Sequence, residues 1–238
     1  MENNEFYKKL KSYGEKINIE ICEEESNKLY MYMNLMLEWN KKINLTSITD
    51  EEDIIIKHFV DSLSINKYLS KNKNVMDVGT GAGFPGIPLK IFNEDIEFIL
   101  VDSLNKRINF LEEVKQALNI NKLELVHSRI EDLAKDIKYR EKIDMVVSRA
   151  VANLSVLSEY MLPFVKIGGF CICMKGPNID DELENSKNAI KILGGKIEKV
   201  ESLVLPGNLE RNIIIIKKEK ETPNSYPRKA GIPSKKPL

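Results

Sequence analysis

The sequence is poor in the residues that staple small proteins or hold metals. Its 238 residues include only three cysteines, Cys22, Cys171 and Cys173, and two histidines, His58 and His127. Three cysteines cannot close a paired disulfide framework. No Cys/His spacing matches a zinc site, so no metal is expected. Reduced thiols in a cytoplasmic protein are the simple reading. An excess of one charge is also missing: 36 Lys and Arg residues balance 36 Asp and Glu residues. That balance excludes a globally basic protein that coats nucleic acid. No stretch approaches the ~20 apolar residues of a membrane span, and the longest aliphatic run, Ile213 to Ile216, suits a buried strand. The segment Met1 to Lys11 is charged and has no apolar core, so no signal peptide is expected there.

The length fits one large domain, or one domain with an appendage, and is enough to bury a full core without staples. The first seventy residues read as helical. Leu29, Met33, Met36 and Leu37 fall on one helix face, and Glu23, Glu24 and Glu25 suit its first turn. After Asn74, strands and helices alternate. The expected strands are Val75 to Val78, Glu97 to Val101, Leu123 to Val126, Ile143 to Ser148, Phe170 to Met174, Lys196 to Leu205 and Arg211 to Lys217. Ser103 is the expected cap of the helix after the second strand, and Gly168-Gly169 the turn that introduces the fifth. Alternation with short connections predicts an α/β fold with a doubly wound parallel sheet. Pro206-Gly207 predicts a terminal hairpin, so the last strand inserts antiparallel. The expected division is a helical region over 1–70, the sheet domain over 71–222 and a basic, Pro-rich tail over 223–238. From Lys217 onward, seven basic residues face two acids, and the prolines of the tail exclude helix and central strand there.

The most informative segment is Asp77-Val-Gly79-Thr-Gly81-Ala-Gly83-Phe84-Pro-Gly86, at the carboxyl end of the first strand. Ligands of open α/β sheets bind at that edge. Two cofactor classes compete for it. Gly81, Gly83 and Gly86 satisfy the dinucleotide pattern G-x-G-x-x-G, the mark of an NAD-dependent oxidoreductase. Read from Asp77, the turn is the D-x-G-x-G-x-G of S-adenosylmethionine-dependent methyltransferases. Asp77 favours the second reading, because a carboxylate there can reach an ammonium but repels a pyrophosphate. Asp102, at the end of the second strand, suits ribose hydroxyls in either class.

Other features narrow the chemistry. The stretch Val147-Ser148-Arg149-Ala150-Val151 lacks the Asn/Asp-Pro-Pro-aromatic turn used to methylate exocyclic amines. Cys171 and Cys173 lie two apart in an apolar strand and read as core thiols rather than a nucleophile on a loop. Arg149 and Lys175 leave the carboxyl ends of strands four and five toward the cofactor edge, as candidates for a base or phosphate. His58 and His127 stand alone in apolar surroundings, where core or helix-surface roles outweigh catalysis.

Several segments together resemble one family, the RsmG (GidB) methyltransferases of small-subunit ribosomal RNA. They are Asn44-Leu-Thr-Ser-Ile48, Lys57-His-Phe-Val-Asp-Ser-Leu63, the cofactor turn through Pro88, Ser148-Arg-Ala-Val151, and Tyr226 to Leu238. The resemblance covers nearly the whole chain, and it implies a Rossmann-like methyltransferase sheet with S-adenosylmethionine as cofactor. The implied reaction is methylation of guanine N7 in 16S ribosomal RNA, naked or in the small subunit. It implies cofactor contacts from Asp77, Gly79, Gly81, Gly83, Phe84, Asp102, Ser103, Leu104, Ile130 and Glu131. Arg149 would stand beside the methionine end or the entering base, as the best candidate for orienting the base. Lys175, Arg228, Lys229, Lys235 and Lys236 are the expected RNA contacts. A monomer is expected, with neither membrane nor metal. A non-enzymatic RNA-binding protein on the same fold is the remaining alternative.

Overall fold

The computed structural model describes residues 1–69, 74–149 and 151–238. The expected boundary at 70/71 and Ala150 of the fourth-strand element lie outside the described residues. The N-terminal region is helical: α1 (Asn3–Glu15), α2 (Glu23–Asn40), α3 (Glu51–Ile54), a π-helical stretch Ile55–Val60 and α4 (Asp61–Leu63). Cys22 caps α2 through a reciprocal box. Its sulfur accepts from the Glu25 N–H, and the Glu25 carboxylate accepts from the Cys22 N–H at 2.8 Å.

Among the described residues seven strands follow: β1 (Asn74–Val78), β2 (Glu97–Asp102), β3 (Leu123–His127), β4 (Ile143–Arg149), β5 (Val165–Lys175), β6 (Gly195–Leu205) and β7 (Leu209–Lys218). They form one sheet in the order β3-β2-β1-β4-β5-β7-β6. β1 to β5 run parallel, and β7 inserts antiparallel between β5 and β6, as the hairpin predicts. The connecting helices are α5 (Gly86–Phe92), α6 (Asn105–Ala117), α7 (Ile130–Leu133), α8 (Leu154–Met161) and α9 (Asp180–Ile192). Alternate strand residues feed two cores. Val75, Leu100, Met145, Ile172 and Ile215 pack with α1, α2, α5 and α6 on one face. Met76, Val101, Val146, Cys171, Cys173 and Ile216 pack with α8 and α9 on the other. Both strand cysteines are therefore core thiols on one face, and burial pushes that of Cys173 up to about 12. The N-terminal helices share a core with the sheet. No helix among the described residues is long and apolar enough to cross a membrane.

Three local expectations change. Gly168-Gly169 lies inside β5 instead of introducing it. Ile143 pairs with Val165 but Met145 with Phe170, so the extra residues bulge at Gly168, whose φ is +84°. Ser103 does not cap α6. The N-cap is Leu104, with no side-chain cap bond to the first turn, and the Asp102 carboxylate accepts from the Leu104 N–H at 2.9 Å. The tail does contain one helical turn, α10 (Ile232–Lys235), because Pro233 falls in its first turn, where a missing N–H costs nothing.

The tail is docked on the domain. Arg140 donates to the carbonyls of Thr222 and Tyr226 at 2.9 and 3.0 Å. The Arg228 guanidinium grips Glu159, a fully buried carboxylate on α8, through Nε at 3.0 Å and Nη2 at 2.6 Å. Arg228 is thus an anchor of the tail and not an exposed cation. Arg228→Ala leaves that carboxylate buried without its cation and is expected to cost about 3 kcal/mol. The readout is a lower denaturation midpoint with faster proteolysis of the tail; an unchanged midpoint would show that the anchor contributes nothing.

Candidate active site

A cleft of about 620 Å³ opens at the carboxyl ends of β1, β2 and β4, a volume suited to a cofactor and part of a substrate. Its floor is the glycine turn. Gly79 and Thr80 donate to the Val101 carbonyl at 2.9 and 3.1 Å, which folds the turn back over β2. Gly79, Gly81 and Gly83 all have positive φ, of 69°, 62° and 102°. Their surroundings differ. A Cβ at Gly79 would lie 2.8 Å from the Val151 side chain, and one at Gly83 would strike Tyr32 at 2.6 Å. A Cβ at Gly81 would meet nothing within 4 Å, because that residue faces the open cleft.

Two carboxylates hold the turn. Asp102 accepts from the Gly81 N–H at 2.9 Å with the oxygen that also meets Arg107 at 3.2 Å. Asp77 lies beneath the turn, fully buried. Its Oδ2 accepts from the Thr80 hydroxyl at 2.7 Å and the Gly86 N–H at 2.9 Å, while its Oδ1 has no partner among the described residues. Burial pushes the Asp77 carboxyl up to about 7, against the pull of those two donors and of Arg149. From behind, the buried Tyr32 hydroxyl of α2 donates to the Ala82 carbonyl.

The other end of the cleft is built by the N-terminal helices. Arg149, at the end of β4, donates through Nη1 to the Lys57 carbonyl at 2.8 Å and to the Asp61 carboxylate at 3.1 Å. Through Nη2 it donates to His58 Nδ1 at 2.9 Å. Asp61 is buried and also accepts from Arg211 Nε of β7 at 3.0 Å. The His58 ring stacks on Phe84 of the glycine turn, 4.3 Å between centroids and 8° from parallel. The Arg149 guanidinium lies 5.0 Å over the same Phe84 ring. Burial, then the charge of Arg149, holds His58 down to about 3, so the imidazole is neutral.

The rRNA small subunit methyltransferase G family model matches residues 25–214. The chain belongs to this family. The family's "Ribosomal RNA small subunit methyltransferase G" of Alkaliphilus oremlandii is 52% identical over 232 residues, covering 96% of this chain and 97% of that one. The protein of the same name from Clostridium tetani is 50% identical over 236 residues, covering 98% and 99%. Among solved structures, a SAM-dependent methyltransferase from Aquifex aeolicus shares the fold. Its TM-score is 0.53 at 18% identity, covering 76% of this chain and 97% of that one.

Within this methyltransferase G fold, most of the expected site residues meet at the cleft. Gly79, Gly81, Phe84, Asp102, Ser103, Ile130, Glu131 and Arg149 line it. Asp77 and Gly83 lie beneath the turn and shape it from below, and Leu104 is exposed outside the lining. Lys175 is buried and paired with Glu182 and the Ala152 carbonyl, away from the cleft. Lys229, Lys235 and Lys236 stand exposed on the docked tail. His127 is exposed at the end of β3, against the Ser103 carbonyl at 3.1 Å, and is not in apolar surroundings. The sequence reasoning missed Leu45, Thr46, His58, Arg107, Arg129 and Tyr160 as lining residues. For three of them the sequence holds a signal: the segments around Leu45, Thr46 and His58 carry the family resemblance, although His58 reads there as a core or helix-surface residue.

Asp77 gives this site a pH signature. Its carboxyl lies near 7 in the folded protein and near 3.8 in the unfolded chain. Between those values the folded state holds the extra proton, so this group makes stability fall as pH rises from about 4 to about 7, and level off above. Asp77→Asn should shrink the difference between unfolding midpoints at pH 5 and pH 8. Equal pH slopes in the two proteins would show that Asp77 is ionised throughout.

Proposed function

We propose that the protein transfers a methyl group from S-adenosylmethionine to N7 of a guanine in 16S ribosomal RNA, as a monomer in the cytoplasm. The observation that carries this reading is the near-full-length match to small-subunit ribosomal RNA methyltransferases. The cleft fits the cofactor. Gly81 leaves open space where any side chain would intrude. Asp102 stands at the rim for ribose hydroxyls, with Ser103, Ile130 and Glu131 around it for the adenine. Asp77, buried beneath the turn with its neutral form favoured, shapes the turn and does not discriminate between the cofactors; the family match is what disfavours NAD.

When bound, S-adenosylmethionine supplies a methyl group on a cationic sulfur. Guanine N7 carries a free lone pair and no proton, so no general base is needed. The chain agrees. His58 is neutral with both ring nitrogens engaged, Asp61 holds two guanidinium groups, and Asp102 holds the turn. The residues of the cleft position two reactants and exclude water, an orientation effect. Arg149, fixed by Lys57, His58 and Asp61, is placed to orient the base.

RNA is held by charge. Gly231 donates to the Glu131 carboxylate at 3.1 Å, and the Ser234 hydroxyl meets that of Tyr160 at 3.1 Å. These contacts tie the tail to the cleft wall, which supports an RNA face formed by Lys229, Lys235 and Lys236 beside the cofactor edge.

Calorimetry is expected to show binding of S-adenosylmethionine and S-adenosylhomocysteine and none of NAD, with Asp102→Ala weaker by about 1–3 kcal/mol. Binding of NAD without S-adenosylmethionine would overturn the reading. Replacing Lys229, Lys235 and Lys236 by alanine should raise the KM for RNA and lower the salt slope of binding by about 2. Cofactor affinity should stay unchanged. If the salt series is untouched, these lysines do not meet the RNA.

A further inference from the structure

The hydrogen bonds around Thr46 run in one direction only. A guanidinium can donate but never accept. Arg149 Nη2 lies 2.9 Å from His58 Nδ1, so Nδ1 is the acceptor and the ring proton sits on Nε2. Nε2 lies 2.9 Å from the Thr46 hydroxyl, so the imidazole donates and Thr46 Oγ1 accepts. Oγ1 also accepts from the Ile48 N–H at 3.1 Å. A hydroxyl has two acceptor positions and one proton. Both acceptor positions are taken, so the hydroxyl can only donate, and among the described residues nothing accepts from it.

The segment carrying this donor is held firmly. Asn40 Oδ1 accepts from the Leu45 and Thr46 N–H groups at 2.8 and 3.0 Å, and its amide donates to the Thr46 carbonyl at 3.0 Å. Thr46 forms part of the cleft wall, at the end built by His58 and Arg149 and away from the ribose end at Asp102. On the Hoogsteen edge of guanine, N7 and O6 are neighbouring acceptors, whereas adenine carries an amino donor beside N7. A base whose N7 is being methylated has only O6 left on that edge to be read, and reading it takes a donor.

We infer that the Thr46 hydroxyl reads O6 of the target guanine and selects it against a purine bearing a 6-amino group. The inference rests on the guanine-N7 reading given above. Arg149 acts on this specificity as a positioning residue: by fixing the imidazole tautomer it turns Thr46 into an obligate donor. The amino group of a wrong purine meets that donor head-on, with no acceptor to relieve it.

The test compares small-subunit RNA carrying guanine at the methylated position with the same RNA carrying 2,6-diaminopurine there, which keeps N7 and replaces O6 by an amine. Thr46→Val keeps the shape and removes the donor, together with the acceptor of His58 Nε2 and of the Ile48 N–H, a loss common to both RNAs; Thr46→Ser keeps donor and acceptor. In wild-type protein, kcat/KM should favour guanine by about 100-fold. Thr46→Val should lose about 10- to 100-fold more on guanine than on diaminopurine, so the preference collapses. Thr46→Ser should retain the wild-type preference, and cofactor affinity should be the same in all three proteins. If Thr46→Val keeps the preference, or loses the same factor on both RNAs, the inference alone is overturned. If wild-type protein binds S-adenosylmethionine but leaves the guanine RNA unmethylated, the functional reading fails and the inference with it.

Discussion

A guanidinium at the end of a buried strand must be surrounded by acceptors, because an unpaired buried charge is far more costly than any packing gain. Arg149 occupies that position. Among the described residues, β4 itself supplies no partner for its side chain. Its partners come from the chain about ninety residues earlier: the Lys57 carbonyl, the His58 imidazole and the Asp61 carboxylate. Meeting this one requirement fixes the N-terminal helices against the mouth of the sheet. Asp61 extends the bond to Arg211, so β4, β7 and the helical region meet at one buried carboxylate.

The same arrangement holds the glycine turn from both sides. Tyr32 reaches the Ala82 carbonyl, and the hydrogen-bonded pair of His58 and Arg149 covers the Phe84 ring. Asp77 and Asp102 tie the turn to the sheet below. The floor of the cleft is therefore held by hydrogen bonds within the protein itself, which suits a reaction that needs placement more than proton transfer. The docked tail continues this logic. Its anchor, Arg228, is spent on Glu159, and its lysines are left outward beside the cleft.

The sheet was legible because its strands alternate between two apolar cores and its turns carry glycine or proline at the required places. The cofactor edge was legible because three glycines with positive φ stand directly after a strand. What stayed hidden depends on contacts across long separations. His58 looks like any histidine of an apolar helix; only its placement against Arg149 and Phe84 makes it part of the cleft. Arg228 and Lys175 count as free cations in a sequence, yet each is neutralised by a glutamate that charge counting cannot pair with it, Glu159 and Glu182. Asp77 was recognised by spacing, but its depth beneath the turn follows from the hydrogen bonds to Thr80 and Gly86.

The central claim is methyl transfer to guanine N7, and the position of the methyl group on the product tests it most directly. Unmethylated small-subunit RNA is incubated with the protein and S-adenosylmethionine, reduced with borohydride and cleaved with aniline, a sequence that breaks the chain at N7-methylguanine. One new cleavage at a single guanine is the expected result. A methyl group incorporated into the RNA without any new cleavage would place the reaction on another atom and contradict this account.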